Sequence, residues 1–303
     1  MRKIGRLMLT ALLALTVLLS CGSMTAYAKT GWMDIGTATY YYDSGGNRVI
    51  DGLFEIDGKA YLFDERGRLV TKKGWYKVRT VDDTGNCDVW YYLNSDGSAY
   101  RGWKKKGGKR YYLAYEMVTK PISINGAAYV FAEDGTLVTK KGWYTRTYED
   151  GSKNSWYISS KGTAFTGWHK ISGKWYYFDS FNGLMYCGGT FRTADGKICS
   201  FRQNGVWRKP KGWQTETVTY TVNGETVTDT YYSYFGSSGY GVTGWQKLGG
   251  SWYFFSKSGM MATGWLRTGG NWYYLYENGK MATGRVKIDG ITYTFSSSGA
   301  LQS

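Results

Sequence analysis

The chain has 303 residues, with 43 glycines, 14 tryptophans, 29 tyrosines, 12 phenylalanines, only two prolines, and a formal charge of +15. Glycine stands at about twice its ordinary share, while the scarcity of proline and the lack of a G-X-Y period exclude collagen-like and proline-rich disordered chains. A hydrophobic fraction of 42% is too apolar for disorder, and a single histidine, His169, leaves little room for a histidine-built metal centre or paired histidine acid/base work. Glycine and aromatics are poor helix-interior residues, so the expected class is all-β.

The N-terminus reads as an export signal over residues 1–28. Arg2, Lys3 and Arg6 precede an apolar run from Leu7 to Leu19, and Ala26-Tyr27-Ala28 offers a small-x-small cleavage site. That run is shorter than the ~20 residues needed to span a bilayer. Leu18-Leu19-Ser20-Cys21-Gly22 also resembles a bacterial lipobox, in which Cys21 carries lipid and the protein touches the membrane. Either route makes the mature protein extracytoplasmic. Removing residues 1–28 leaves 35 basic against 23 acidic side chains, a balance of +12.

Residues 29–303 are built from one repeated unit. Gly244-Trp245 is followed by a Gly-Gly turn, the run Trp252-Tyr253-Phe254-Phe255, Gly259 and Met261. Gly264-Trp265 restarts the pattern twenty residues later, and Gly284-Arg285 restarts it again. Each copy predicts a β-hairpin whose second strand is the aromatic run. Looser copies begin at Gly31, Gly52, Gly74, Gly102, Pro121, Gly142, Gly167, Gly188 and Gly212, giving twelve units. Three units have stretched arms; the longest turns at Asn223-Gly224, between alternating β-formers. A hairpin of ~20 residues cannot bury its apolar face alone and must stack on its neighbours. Val70-Thr71-Lys72-Lys73-Gly74-Trp75 recurs near Gly142 and more weakly near Gly212, a step of three units. That step predicts a β-solenoid with three hairpins per superhelical turn.

Cys187 and Cys199 flank one predicted hairpin, and an exported protein could bridge them, leaving Cys87 over. The cysteine spacings match no zinc signature, so neither metal nor cofactor is expected.

The pattern G-W-x4-G-x-W-Y-Y-F-x3-G-x-M-x-T-G-W, nearly intact from Gly244 to Trp265, resembles the cell-wall-binding repeat family. That family comprises choline-binding repeats of Gram-positive surface proteins, glucan-binding repeats of glucansucrases, and repeats of large clostridial toxins. The resemblance implies stacked hairpins and, in the choline-binding branch, a ligand slot between consecutive hairpins. The walls it implies here are Trp245, Trp252 and Tyr274 with Met281; Trp213, Tyr232 and Phe254 with Met261; Trp143, Trp156 and Tyr177 with Met185; and Trp75, Trp90 and Tyr112. Other slots lose a wall: Thr294 faces Trp265 and Trp272, Ser200 faces Trp168 and Trp175, and Arg110 replaces the aromatic paired with Trp103. Packing is the expected role of Tyr91, Tyr176, Tyr253 and Tyr273, on the opposite strand face.

No phosphate loop, H-E-x-x-H or G-x-S-x-G occurs, and His169 fills a repeat slot held elsewhere by Lys104, Gln246 and Leu266. Asp43, Asp57, Asp96, Asp134, Asp179, Asp195 and Asp289 fall at or beside turns, where a short carboxylate bonds its own backbone. The expectation is a secreted, non-catalytic protein that attaches to bacterial wall or surface glycan: teichoic acid (choline-decorated or anionic) or glucan. Lys72, Lys73, Lys140 and Lys141 precede the Gly-Trp of equivalent units and suit a polyanion. The export signal keeps the chain from nucleic acid. The rival expectation is an adhesive surface protein whose aromatics are all core and whose partner is another protein.

Overall fold

The computed structural model describes residues 29–82 and 85–302, and the expected export signal and Cys21 lie outside them. The described residues hold no helix, and they fall into two compact units. One is the chain up to Lys120 with Phe131–Val138; the other is Pro121–Val130 with Thr139 onward.

In the first unit β1 (Gly31–Ile35) pairs with β2 (Ala38–Tyr42), and β3 (Gly52–Ile56) with β4 (Lys59–Phe63). There follow β5 (Gly74–Asp82), β6 (Gly85–Leu93), β7 (Arg101–Lys106), β8 (Lys109–Ala114) and the short β9 (Glu116–Met117). These five make one sheet in the order β5-β6-β9-β8-β7.

The second unit is a series of two-stranded hairpins, each pairing a strand with the next in sequence. They are β10 (Ile122–Ile124) with β11 (Ala127–Tyr129), β12 (Gly142–Thr147) with β13 (Lys153–Ile158), β14 (Gly167–Ile171) with β15 (Lys174–Phe178), and β16 (Gly189–Arg192) with β17 (Ile198–Phe201). Then come β18 (Gly212–Val222) with β19 (Glu225–Phe235), β20 (Gly244–Leu248) with β21 (Ser251–Phe255), β22 (Gly264–Thr268) with β23 (Asn271–Leu275), and β24 (Gly284–Ile288) with β25 (Ile291–Phe295). All twelve hairpins begin within one residue of the positions expected from the repeat. In the longest, Asn223 and Gly224 both have positive φ (51° and 83°), the type I′ turn whose twist matches the strands.

One register recurs. The unit-opening glycine pairs with a closing apolar residue, and the three positions before that residue complete the second strand: Gly244 faces Phe255, Trp245 faces Phe254, Gln246 faces Tyr253 and Lys247 faces Trp252. The closing side chains form the core; Leu93, Leu113, Phe131, Ile158, Phe178, Phe235, Phe255 and Leu275 are wholly buried. Past most of the turns one backbone N–H reaches back to the preceding hairpin. Met261 donates to the Tyr232 carbonyl, Met281 to Trp252 and Leu301 to Trp272, at 2.7–2.8 Å. Leu69, Ala99, Leu137, Ala164, Met185 and Trp207 make the same bond, always to the first position of the preceding run. Hairpins too short to stand alone are thus pinned one to the next.

Methionine completes the joint. Met117, Met185, Met261 and Met281 lay their sulfurs where a Cβ would project from Gly135, Gly205, Gly279 and Gly299, the turn glycines of the following hairpins. All four glycines also have positive φ. Gly279→Ala should therefore cost more than Gly270→Ala, which shares the positive φ but meets nothing within 4 Å. The backbone penalty alone is ~1–2 kcal/mol, and overpacking against Met261 adds ~1–3 kcal/mol. Denaturant melts of the two variants make the comparison; equal losses would mean that methionine is not seated there.

Candidate functional site

Side chains on a strand alternate between faces, so the run Trp272-Tyr273-Tyr274-Leu275 divides in two. Trp272 and Tyr274 share a face with Trp265, which lies opposite Tyr274 across the ladder; Tyr273 and Leu275 take the other. The Trp265 indole then stands in T-shaped contact with two rings. It meets Tyr274 of its own hairpin at 5.3 Å between centroids and Tyr293 of the next at 4.9 Å. The same joint recurs as Trp32 with Tyr41 and Tyr61, Trp75 with Tyr92 and Tyr111, and Trp143 with Tyr157 and Tyr176. Trp213 with Tyr234 and Tyr253, and Trp245 with Phe254 and Tyr273, repeat it. Such T-shaped pairs are worth ~0.5–1.5 kcal/mol beyond burial, because ring edges are positive and ring faces negative.

This geometry shifts the expected third walls by one residue. Tyr274, Phe254, Tyr177 and Tyr112 pack against their own hairpins' indoles, those of Trp265, Trp245, Trp168 and Trp103. The rings brought to Trp245, Trp213, Trp143 and Trp75 are instead Tyr273, Tyr253, Tyr176 and Tyr111. The cause is the alternation itself: the face turned toward the preceding hairpin carries the second position and the closing residue. Tyr177 is moreover buried, its hydroxyl accepting the Ala194 N–H at 2.8 Å.

Trp156 needs a larger correction. Gly142 pairs with Ile158 and Trp143 with Tyr157, so Trp156 holds the second position of its run, and Ser155 the first. Trp156 is only 2% exposed, on the face opposite Trp143. It is core, not wall. The methionines Met185, Met261 and Met281 sit under the next turn as described, so their packing partner is a glycine.

What remains exposed are several indole and phenol side chains. Trp213 and Tyr232 lie on one face of their hairpin, each 42% exposed. Trp265 and Trp272 are nearly perpendicular, 6.3 Å apart, and 38% and 44% exposed, forming an aromatic corner. Sequence reasoning discarded that pair because Thr294 stood at the expected wall; the wall is Tyr293, one residue earlier. Trp252 is also exposed, whereas Trp245 is partly covered. In the first unit Trp75, Trp90, Tyr111 and Met117 line a groove of about 590 Å³ that also collects Asp88, Glu116, Glu133 and Asp134 with Lys106 and Lys120.

Two slots are filled by the chain itself. The Arg110 guanidinium lies 4.6 Å from the Trp103 ring centroid, as a bound cation would. Trp207 stands 4.9 Å from Trp168, filling the space opened by Ser200.

The aspartates expected at turns, His169 and the cysteines take structural places. Asp43, Asp64, Asp96, Asp134 and Asp179 each accept backbone N–H bonds in the turn that they begin or occupy. Asp57 and Asp289 adopt positive φ at hairpin turns, and Asp195 accepts the Thr193 hydroxyl. His169 stacks on Phe165 at 3.8 Å, and its Nε2 lies 3.1 Å from the Thr166 carbonyl. Cys187 and Cys199 are free thiols, which overturns the expected disulfide. Cys199 holds the second position of its run and points into the cluster with Tyr177 and Phe201, whereas Cys187 precedes the hairpin. Burial pushes the Cys199 thiol up to about 12, far from a reactive thiolate. Among the described residues no three His, Cys, Asp or Glu side chains are grouped to hold a metal.

Comparison with known proteins adds the following. Residues 242–278 and 262–303 match the family model of the choline-binding repeat, and residues 84–99 and 166–184 that of the putative cell wall binding repeat. The chain is 30% identical to glucosyltransferase-S of Streptococcus mutans over 231 residues, covering 69% of this chain and 14% of that protein. It is 28% identical to glucosyltransferase-I of Streptococcus downei over 262 residues, covering 70% and 15%. The chain thus spans about a seventh of these relatives' length. Choline binding protein F of Streptococcus pneumoniae, solved in the presence of a peptidoglycan analogue, is 28% identical, with 90% of this chain and 92% of that chain covered at a TM-score of 0.33.

The turn carboxylates carry a pH signature. Bonds from the Ser98 hydroxyl, Lys59 and the Ser98 N–H hold the Asp96 carboxyl down to about 2. A depressed folded-state value stabilises fully above the ~3.9 of a free aspartate and is lost as pH falls through about 2. Asp96→Asn should therefore melt lower than the native chain at pH 6, with the gap closing between pH 4 and 2. A gap that is independent of pH would contradict this role.

Proposed function

We propose that this chain is a secreted, non-catalytic member of the cell-wall-binding repeat family that attaches to the bacterial cell wall or surface glycan. The observation that carries the reading is the recurring joint between consecutive hairpins, where an indole in T-shaped contact with two rings stays partly exposed, as Trp213 does. An open indole face attracts a quaternary ammonium by ~0.5–2 kcal/mol per contact, and it equally stacks against the apolar face of a sugar ring. The ligand is teichoic acid, choline-decorated or anionic, or a glucan. The slots proposed to take it centre on Trp213 with Tyr232, Trp245 with Trp252, Trp265 with Trp272, and Trp75 with Trp90; Trp143 is exposed but lacks its Trp156 wall. A wall location is supported by the export signal in the sequence and by repeats described as choline-binding and cell-wall-binding. The non-catalytic reading is supported by Asp43, Asp64, Asp96, Asp134 and Asp179, which accept backbone N–H bonds in their turns.

Two experiments test this. Tryptophan fluorescence titrated with choline, dextran and purified wall should shift with at least one of them, and wall material should release no reducing sugar. No shift with any ligand would favour the adhesive alternative, and released sugar would make the chain a hydrolase. Separately, Lys72, Lys73, Lys140 and Lys141 are exposed, and they are proposed to contact anionic wall polymer. Changing all four to Glu should weaken binding to isolated walls and flatten its dependence on added salt. Binding indifferent to both salt and the substitutions would remove the polyanion contact.

A further inference from the structure

Ten of the twelve hairpins have strands of six residues or fewer, but β18 and β19 have eleven each. The last bond that pins this hairpin to its successor reaches the Tyr232 carbonyl, and the six cross-strand pairs beyond Glu216 and Tyr231 project past it. An isolated two-stranded ribbon is marginal in water, so arms of this length call for an explanation.

The two faces of the ribbon differ. On one, the cross-strand pairs are Thr217 with Thr230, Thr219 with Thr228, and Thr221 with Thr226. Thr215 opposite Tyr232 and Trp213 opposite Tyr234 continue the same face into the aromatic slot. No ionisable carboxylate, ammonium or guanidinium group interrupts it, in a chain of formal charge +15. All seven threonines are exposed, and the one side-chain hydrogen bond among them joins Thr219 and Thr228 at 3.1 Å. The opposite face carries Glu216, Glu225 and Asp229 among valines and tyrosines, and Asp229 accepts the Tyr220 and Tyr231 hydroxyls. Threonine's β-propensity alone would not sort it onto one face.

We infer that this threonine face is a landing strip for a neutral polysaccharide strand, one of whose sugars stacks at Trp213 and Tyr232. Same-face neighbours stand ~6.7 Å apart along each strand and ~4.5–5.5 Å apart across the ladder, which makes a flat grid of hydroxyls and methyls. Each hydroxyl both donates and accepts, as a sugar hydroxyl does, while the methyls meet the C–H faces of the rings. An uncharged surface selects against the polyanion proposed for the lysines and for an uncharged glycan. The inference rests on the reading of the aromatic slots as glycan-binding and extends the Trp213 slot along a chain.

The test compares the native chain with two variants, using dextran, isomaltotriose and choline as probes. One variant replaces Thr217, Thr219, Thr228 and Thr230 by Val, which keeps the β-branch but removes the hydroxyls; the other is Trp213→Ala. Each hydroxyl bond is worth a few-fold in affinity, so the valine variant should bind dextran at least about tenfold more weakly. Its response to isomaltotriose and choline should not change, whereas Trp213→Ala should weaken dextran and isomaltotriose alike. Serine at the same four positions should restore dextran binding, which separates hydroxyl loss from damage to the ribbon. Dextran binding unaltered by valine, or a native chain that responds to choline but not to dextran, overturns this inference and leaves the slots standing. No response to any probe or to purified wall overturns the slot reading, and this inference with it.

Discussion

The indole that follows a unit-opening glycine is the joint on which the rest of the chain depends. It makes T-shaped contacts with two rings, one from its own second strand and one from the next hairpin, at centroid distances of 4.8–5.4 Å in six examples. A short hairpin has too little apolar surface to fold alone, so the joint supplies stability as well as order. These contacts leave the indoles of Trp32, Trp143, Trp213 and Trp265 partly exposed. The group that assembles the hairpins is therefore the group that can hold a ligand between them.

That double use explains why some joints are open and others closed. Where the first position of the run carries Tyr232 or Trp272, a second exposed ring shares the indole's face of the hairpin, and Trp265 with Trp272 forms a corner. Where it carries Arg110, the guanidinium covers Trp103 from within the chain. Where Thr190 replaces the tryptophan, no joint forms in that hairpin, and the neighbouring Trp168 is covered by Trp207. Variation at one or two positions of a fixed register thus sets which slots face solvent, while the closing residues and the pinning N–H bonds stay the same.

The hairpin series was legible from the residues, because glycine, the aromatic run and the closing apolar residue recur at fixed spacing. The slots were legible only in part. A strand's period is two residues, so an error of one position moves a ring to the other face; that is how Tyr274 came to stand for Tyr273. Trp156 was misread because an isoleucine closes its run directly after Trp-Tyr, one residue sooner than in Trp-Tyr-Phe-Phe. Pairing the closing residue with the opening glycine would have located it correctly. The cysteine pair failed for a related reason: proximity to one hairpin says nothing of which face each side chain takes. The methionine seats depend on the path of the chain between hairpins, on which the spacing of residues is silent.

The central claim is that open indole faces bind ligand while covered indoles only pack. The chain's 14 tryptophans give separate indole N–H resonances, so nitrogen–proton correlation spectra report on each. Titration with choline and then dextran should move the resonances of Trp213, Trp252, Trp265 and Trp272 and leave that of Trp156 in place. Resonances that all stay fixed, or a Trp156 resonance that moves in step with the exposed ones, would contradict the account.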